Sequence, residues 1–235
     1  GETVEKAALS DVRVDPFENV TRIEVPLSAQ DFEHYYSGYS NSVLWPLFHY
    51  RLDLVDYRAA SFRGYLKVNE FLSTALRPHL RPDDVVWVHD YHLIPFARYA
   101  RRTDPHRRMG FFLHIPFPPP EILAAAPNHA AIVRALLDYD VVGFQTSTDL
   151  ANFRRYVAER QKRFAVLHAD GSIETRDRIV RTGRFPIGID VDGFRGMAME
   201  ASDDVRLDQL RREILGRKQI VGVDRLDYSK GIPAR

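Results

Sequence analysis

Residues 89–92 read His89-Asp90-Tyr91-His92 and close an apolar run, Val85-Val86-Trp87-Val88. Polar side chains at the end of a buried strand are placed for chemistry, because ligands bind outside the carboxyl ends of strands in open α/β sheets. Three chemistries fit this cluster. Two imidazoles and a carboxylate could hold a metal, although His89 and His92 need not share a face and no third cluster supplies further ligands. Asp90 could form an acid–base dyad with His114, which ends a second apolar run, Met109-Gly110-Phe111-Phe112-Leu113. Alternatively, Asp90 only caps a helix, and the histidines fill core.

Three further stretches carry candidates. Prolines at 116 and 118–120 make the segment after His114 rigid. It suits either a sugar- or nucleotide-holding loop or a helix start. Residues 35–50 hold Tyr35, Tyr36, Tyr39, Trp45, Phe48 and Tyr50. Aromatic residues usually fill cores, but Tyr36 and Trp45 could instead form a sugar platform, an indole face on pyranose C–H groups and a phenol on a phosphate. Residues 224–231, DRLDYSKG, set Arg225 and Lys230 five apart beside Gly231. Two cations with a flexible glycine suit a diphosphate. The glycine spacing is not that of a Walker loop, and a surface loop with ion pairs accounts for the same residues.

The elements that must position these groups follow from periodicity. Residues 1–19 read as a loop and 20–25 as an alternating strand, and Ser28 caps a short helix reaching Tyr35. Helical spacing runs through Phe62, Tyr65, Leu66, Phe71, Leu72, Ala75 and Leu76, and Pro78 stops it. Buried strands are expected at 85–89, 109–115 and 141–145, with helices at 93–102, from about 121, across 132–137 and after a cap at Ser147. Residues 164–186 read as an antiparallel hairpin insert turning at Asp170-Gly171. A helix is expected at 203–215 with Gly216 as its stop, then a strand at 220–223. Strand–helix alternation of this kind makes a parallel α/β sheet. If the strands at 85–89 and 109–115 are neighbours, roughly 5 Å apart, Asp90 and His114 emerge side by side.

Composition narrows the classes. The 235 residues are 45% hydrophobic and 28% charged with a net charge of +1, which is globular and carries no field favouring nucleic acid or membrane. The arginine pairs at 101–102, 107–108 and 154–155 read as solvated helix ends. With no cysteine, disulfides and thiolate metal sites are excluded, and the composition suits a cytoplasmic chain. No apolar run is long enough to span a bilayer. The polar start without Met and the strand expected at the very end lead us to expect a fragment.

Five motifs in order carry a resemblance: 40–50 (SNSVLWPLFHY), 87–93 (WVHDYHL), 110–118 (GFFLHIPFP), 143–146 (GFQT) and 224–231 (DRLDYSKG). Together they resemble the trehalose-6-phosphate synthases, retaining glycosyltransferases with two Rossmann-like domains facing a cleft (the GT-B type). The resemblance covers nearly the whole chain from Val20 onward. It implies an α/β chain with a Rossmann-like parallel sheet. Residues 1–215 would be most of an acceptor-binding N-terminal domain, and 216–235 the first strand and loop of a nucleotide-sugar-binding domain.

The implied reaction transfers glucose from UDP-glucose to glucose 6-phosphate with retention, giving trehalose 6-phosphate. By resemblance, Tyr36 bonds the acceptor phosphate, Trp45 packs on the acceptor sugar, and Trp45 with Ile115 selects the α anomer. Asp90 holds acceptor hydroxyls, with Tyr91 and Gln145 nearby. His114 contacts the donor glucose, and Arg225 and Lys230 bind the donor diphosphate and stabilise the departing UDP. The carboxylate pair of a retaining glycosidase, about 5 Å apart, is not expected. In the front-face mechanism the leaving phosphate takes the acceptor's proton. No cofactor, metal, nucleic acid or membrane partner is implied, and the full-length enzyme would self-associate as a tetramer. The family's arginine and paired-glycine donor loop, and most of its second domain, have no counterpart in these 235 residues, so the chain alone is expected to be inactive. A sister transferase acting on glycerol 3-phosphate, a non-catalytic regulatory homologue and a metal-dependent hydrolase stand as alternatives.

Overall fold

The computed structural model describes residues 3–5, 7–214, 217–218 and 220–232. The chain divides into two compact units, Gly1–Pro186 and Ile187–Arg235.

The first unit opens with β1 (Thr3–Val4), β2 (Arg13–Phe17), β3 (Val20–Glu24) and β4 (Leu27–Ser28). β1 and β4 pair parallel, and β2 pairs antiparallel with β3, Arg13 opposite Glu24 and Phe17 opposite Val20. The loop expected at 1–19 is therefore half of a hairpin. Pro16 lies within β2, and both strands of a two-stranded ribbon are edges, where proline is tolerated. Ser28 does cap α1 (Ala29–Phe32): its hydroxyl accepts the Asp31 N–H at 3.0 Å.

A π-helix then runs from Glu33 to Leu44 and passes into α2 (Trp45–Phe48). Its i→i+5 bonding carries through to the Trp45 N–H, which donates to the Ser40 carbonyl. Pro46 carries no N–H to continue that pattern, and the Asp56 N–H donates to the Ser42 carbonyl at 2.9 Å. Tyr35, Tyr39, Val43, Leu44, Leu47 and Phe48 are buried against α3 (Ala59–Leu76) and the sheet behind it.

That sheet contains β5 (Val86–His89), β6 (Met109–Leu113), β7 (Val141–Phe144), β8 (Ala165–Leu167), β9 (Ile173–Thr175) and β10 (Ile179–Arg184), in the order β5-β6-β7-β10-β9-β8. β5, β6, β7 and β10 are parallel, and β10, β9 and β8 are antiparallel. The expected hairpin is thus fused to the sheet rather than set apart from it. The intervening helices are α4 (Phe96–Ala100), α5 (Pro120–Leu123), α6 (His129–Leu136) and α7 (Ser147–Arg160). α7 is capped by Thr146, not Ser147. Thr146 Oγ1 accepts the Asp149 N–H at 3.1 Å, and the Asp149 carboxylate accepts the Thr146 N–H at 3.2 Å. This reciprocal box satisfies two N-terminal amides at once. β5 is only half buried. Val86 and Val88 face the core, whereas Trp87 is 66% exposed.

The second unit holds α8 (Val191–Glu200), capped by Asp190, and α9 (Val205–Glu213), capped by Asp204. The stop expected at Gly216 lies outside the described residues. Residues 220–223 form no strand, contrary to expectation. A strand needs a ladder partner, none of the described residues pairs with them, and Ile220 and Val223 are 97% and 92% exposed. No helix among the described residues is long and apolar enough to cross a membrane.

Candidate active site

The carboxyl edge of the parallel sheet gathers the polar candidates. β5, β6 and β7 end at His89, Leu113 and Phe144, so Asp90, His114 and Gln145 are each the first residue beyond three neighbouring strands. The adjacency that was needed to bring Asp90 and His114 to one edge is present: β5 and β6 are parallel neighbours, with His89 opposite Phe112.

Asp90 has φ 72° and ψ 165°. That region is almost reserved for glycine, costs another residue about 1–3 kcal/mol, and persists only where the surroundings over-determine it. Here they do. The Asp90 N–H donates to the Phe112 carbonyl at 2.8 Å, extending the ladder one residue past the strand. The Leu93 N–H donates to the Asp90 carbonyl at 3.1 Å, and the Asp90 carboxylate accepts the Tyr91 N–H at 3.0 Å. The next three carbonyls are tied to buried side chains. Tyr65 hydroxyl donates to Tyr91 O at 2.6 Å, Asn69 amide to His92 O at 3.1 Å and Tyr139 hydroxyl to Leu93 O at 2.9 Å. Tyr65, Asn69 and Tyr139 are fully buried. Asn69 lies on the apolar stripe of α3, four residues after Tyr65. A polar residue on that stripe was the available signal for this clamp, and the sequence reading passed over it.

Above this turn the aromatic residues form a continuous series. Tyr36 stacks on Phe32 at 5.0 Å and on His92 at 5.3 Å. His92 meets Tyr91 at 3.9 Å, and Tyr91 meets Trp45 at 5.7 Å. The Tyr91 hydroxyl donates to Asn41 Oδ1 at 2.9 Å. Tyr36 and Asn41 are five residues apart, the spacing of the i→i+5 bonds, so the π-helix aligns both toward residues 91–92. Core filling and an exposed platform are therefore not alternatives here. Tyr91 is 4% exposed and Trp45 half-buried, whereas Tyr36 is 40% exposed. His92 enters the series as a ring, a part that its position two residues after Asp90 did not suggest. Burial holds its pKa below the ordinary histidine value, with Asp90 opposing.

His114 is not hydrogen-bonded to Asp90. Its Nε2 lies 2.9 Å from Nδ1 of His89. Ile115, next in chain, is 8% exposed and belongs to the hydrophobic core. No three or more His, Asp or Glu side chains among the described residues are grouped to hold a metal ion.

Arg225 and Lys230 lie in the second unit. Asp227 caps a single 3-10 turn, Tyr228–Lys230, which Gly231 closes at φ 61°, a left-handed position suited to glycine. Lys230 Nζ is 3.9 Å from Asp224 Oδ1, and Arg225 is exposed.

The chain is similar over nearly its whole length to proteins of named activity. The chain is 45% identical over 219 residues to the trehalose-6-phosphate synthase of Enterobacter sp. (strain 638), a match covering 92% of this chain and 45% of that protein. It superposes with a TM-score of 0.92 on a UDP-forming α,α-trehalose-phosphate synthase from Burkholderia xenovorans, 42% identical, over 99% of this chain and 51% of that one. A synthase from the same organism in complex with glucose 6-phosphate matches with a TM-score of 0.90 at 39% identity, over 98% of this chain and 50% of that one. The chain spans about half the length of these relatives. The α/β, GT-B-type fold expected from the motifs is the fold they share with it. The model of glycosyltransferase family 20 matches residues 2–235, and the chain belongs to that family.

Proposed function

We propose that this chain is the acceptor-binding half of a retaining glucosyltransferase that makes trehalose 6-phosphate from UDP-glucose and glucose 6-phosphate. One observation carries the reading. A strained carboxylate, Asp90, stands at the carboxyl edge beside His114 and Gln145, beneath an aromatic series that ends in the exposed Tyr36. A fixed carboxylate suits sugar hydroxyls, and an exposed phenol suits a phosphate.

In this reading Tyr36 takes the acceptor phosphate, Trp45 packs on its sugar, and Trp45 with Ile115 selects the α anomer. Asp90 binds acceptor hydroxyls, supported by Tyr91 and Gln145. His114 meets the donor glucose, while Arg225 and Lys230 take the diphosphate. The acceptor's anomeric hydroxyl attacks donor C1, the C1–O bond to UDP breaks, and the leaving phosphate takes the acceptor's proton. The protein contributes orientation and charge stabilisation. Residues 1–215 form the acceptor domain in this proposal, and 216–235 the opening segment of the donor half. Self-association and a cytoplasmic setting are part of the same proposal.

The test has two arms. Calorimetry on this chain should show glucose 6-phosphate binding more tightly than glycerol 3-phosphate. A protein joining this chain to the C-terminal half of one of the synthases above should form α,α-trehalose 6-phosphate, whereas the chain alone should not. Preference for glycerol 3-phosphate, or turnover by the chain alone, would overturn the reading.

A further inference from the structure

The bond between His89 and His114 has a chemical consequence. The ring centroids are 5.1 Å apart and the planes 29° apart. Trp87 rests on His89 at 4.4 Å, and Phe112 meets His114 edge-on at 4.8 Å. The strand register sets this up. His89 is opposite Phe112, so His114 is its diagonal neighbour, two residues further along β6's direction. An N···N separation of 2.9 Å requires one hydrogen between the two nitrogens. One ring donates and the other accepts, so the tautomer of each dictates that of the other. Two imidazolium rings would set two N–H donors head to head. The bond therefore requires that one of the two nitrogens be unprotonated. Asp90 favours a charge on His89, while burial and His114 oppose it.

We propose that His89 is a positioning residue that fixes the tautomer and orientation of His114. His114 donates from Nε2–H to His89 Nδ1, which leaves both rings in the Nε2–H form, the commoner tautomer of a free imidazole side chain. His114 Nδ1 is then a lone pair at the carboxyl edge, an acceptor for a hydroxyl donor. A sugar hydroxyl is the ligand class that fits, and only that assignment rests on the glucosyltransferase reading.

The test is nitrogen-15 NMR of labelled histidines in this chain at about pH 8, where imidazoles are neutral. The wild type should show His114 in a single Nε2–H tautomer. His89→Phe keeps a ring but removes the acceptor, and His114 should then show averaged tautomers. His89→Asn, whose Oδ1 stands near the position of Nδ1, should restore the single form. Amide spectra matching the wild type establish that each variant is folded. A fixed Nε2–H tautomer in His89→Phe, or an Nδ1–H form in the wild type, would overturn the proposal. In the joined, two-half protein, His89→Phe should raise KM for UDP-glucose several-fold with KM for glucose 6-phosphate unchanged, and His89→Asn should reverse this. A fixed tautomer in a protein with no glucosyl transfer would sink the enzymatic reading and leave the histidine pair standing.

Discussion

Tyr36 lies face to face with His92, ring centroids 5.3 Å apart and planes within 9°. Phe32 also stacks on Tyr36, at 5.0 Å and 25°. The exposed phenol is thus held by two stacked rings, one of them supplied by the turn that presents Asp90. Aromatic pairs of this kind contribute about 0.5–1.5 kcal/mol beyond their buried area. His92→Ala should weaken glucose 6-phosphate binding several-fold, and His92→Phe, which keeps a ring, should restore it. Asp90→Ala should abolish binding. Titration calorimetry on the three variants decides the matter, and wild-type affinity in His92→Ala would show that the stack does not position Tyr36.

Asp90 carries a second prediction through its backbone. Glycine usually destabilises relative to alanine, by about 0.4–1 kcal/mol through the unfolded chain. At φ 72° and ψ 165° the order should invert. Both substitutions lose the carboxylate and its bond to the Tyr91 N–H, but only alanine keeps a Cβ in a region costing about 1–3 kcal/mol. Asp90→Gly should therefore exceed Asp90→Ala in urea-denaturation stability by about 1 kcal/mol, with glucose 6-phosphate binding lost in both. If the alanine variant is equally stable, the strain is not there.

Much of this site was legible in the residues. Apolar runs ending in Asp90 and His114, with a helix-length segment between them, predict one shared edge on the condition that the strands are neighbours, and the pairing of β5 with β6 meets that condition. The π-helix was not legible. Its buried apolar residues Tyr35, Tyr39, Val43 and Leu44 recur at spacings that an α-helix would also give. β2 was hidden by Pro16, and α8 by Gly193 and Gly196, which cost helix propensity. Residues 220–223 misled in the other direction, because an apolar run predicts a strand only where a partner exists. The clamp on the Asp90 turn was also missed. Tyr65, Asn69 and Tyr139 reach it from 26, 23 and 46 residues away, and only the packed structure joins them.

That clamp is testable by a near-isosteric change. Tyr65→Phe removes one hydroxyl from a fully buried site and leaves the Tyr91 carbonyl without this donor. A lost intramolecular hydrogen bond costs about 0.5–1.5 kcal/mol. Stability should fall by that amount, and glucose 6-phosphate affinity should fall with it, because the turn that strains Asp90 loosens. Unchanged affinity at lowered stability would show that the clamp serves the fold alone.

The π-helix is pressed against α3 at two glycines. A Cβ on Gly64 would lie 2.3 Å from the His34 Cβ, and one on Gly38 would lie 2.6 Å from the Ser61 hydroxyl. Alanine is the better helix former by about 0.8–1 kcal/mol, so propensity predicts that Gly64→Ala stabilises α3. The contact predicts the reverse, since overpacking costs about 1–3 kcal/mol and would push away the helix carrying Tyr36. Thermal denaturation should give a lowered Tm, with weakened glucose 6-phosphate binding. A raised Tm would mean that the two helices part without loss.

Burial lowers the pKa of His89, His92 and His129 in the folded chain. An unfolded histidine titrates near 6.5. Between that value and the lower folded one, the unfolded chain binds protons that the folded chain does not. Falling pH therefore favours unfolding in this window, and the full stability is present only above about 6.5. The depressed carboxylates Asp53, Glu121, Asp170 and Asp204 act in the same direction, but only as pH approaches about 4. A loss of Tm between about pH 6.5 and 5 is thus a histidine effect. His92 is the natural one to remove, since its Nε2 is buried with no hydrogen-bond partner. His92→Phe should flatten part of that slope while keeping the stack on Tyr36. A slope identical to the wild type would assign the acid sensitivity to His89 and His129, the latter bonded through its ring to the Tyr156 hydroxyl.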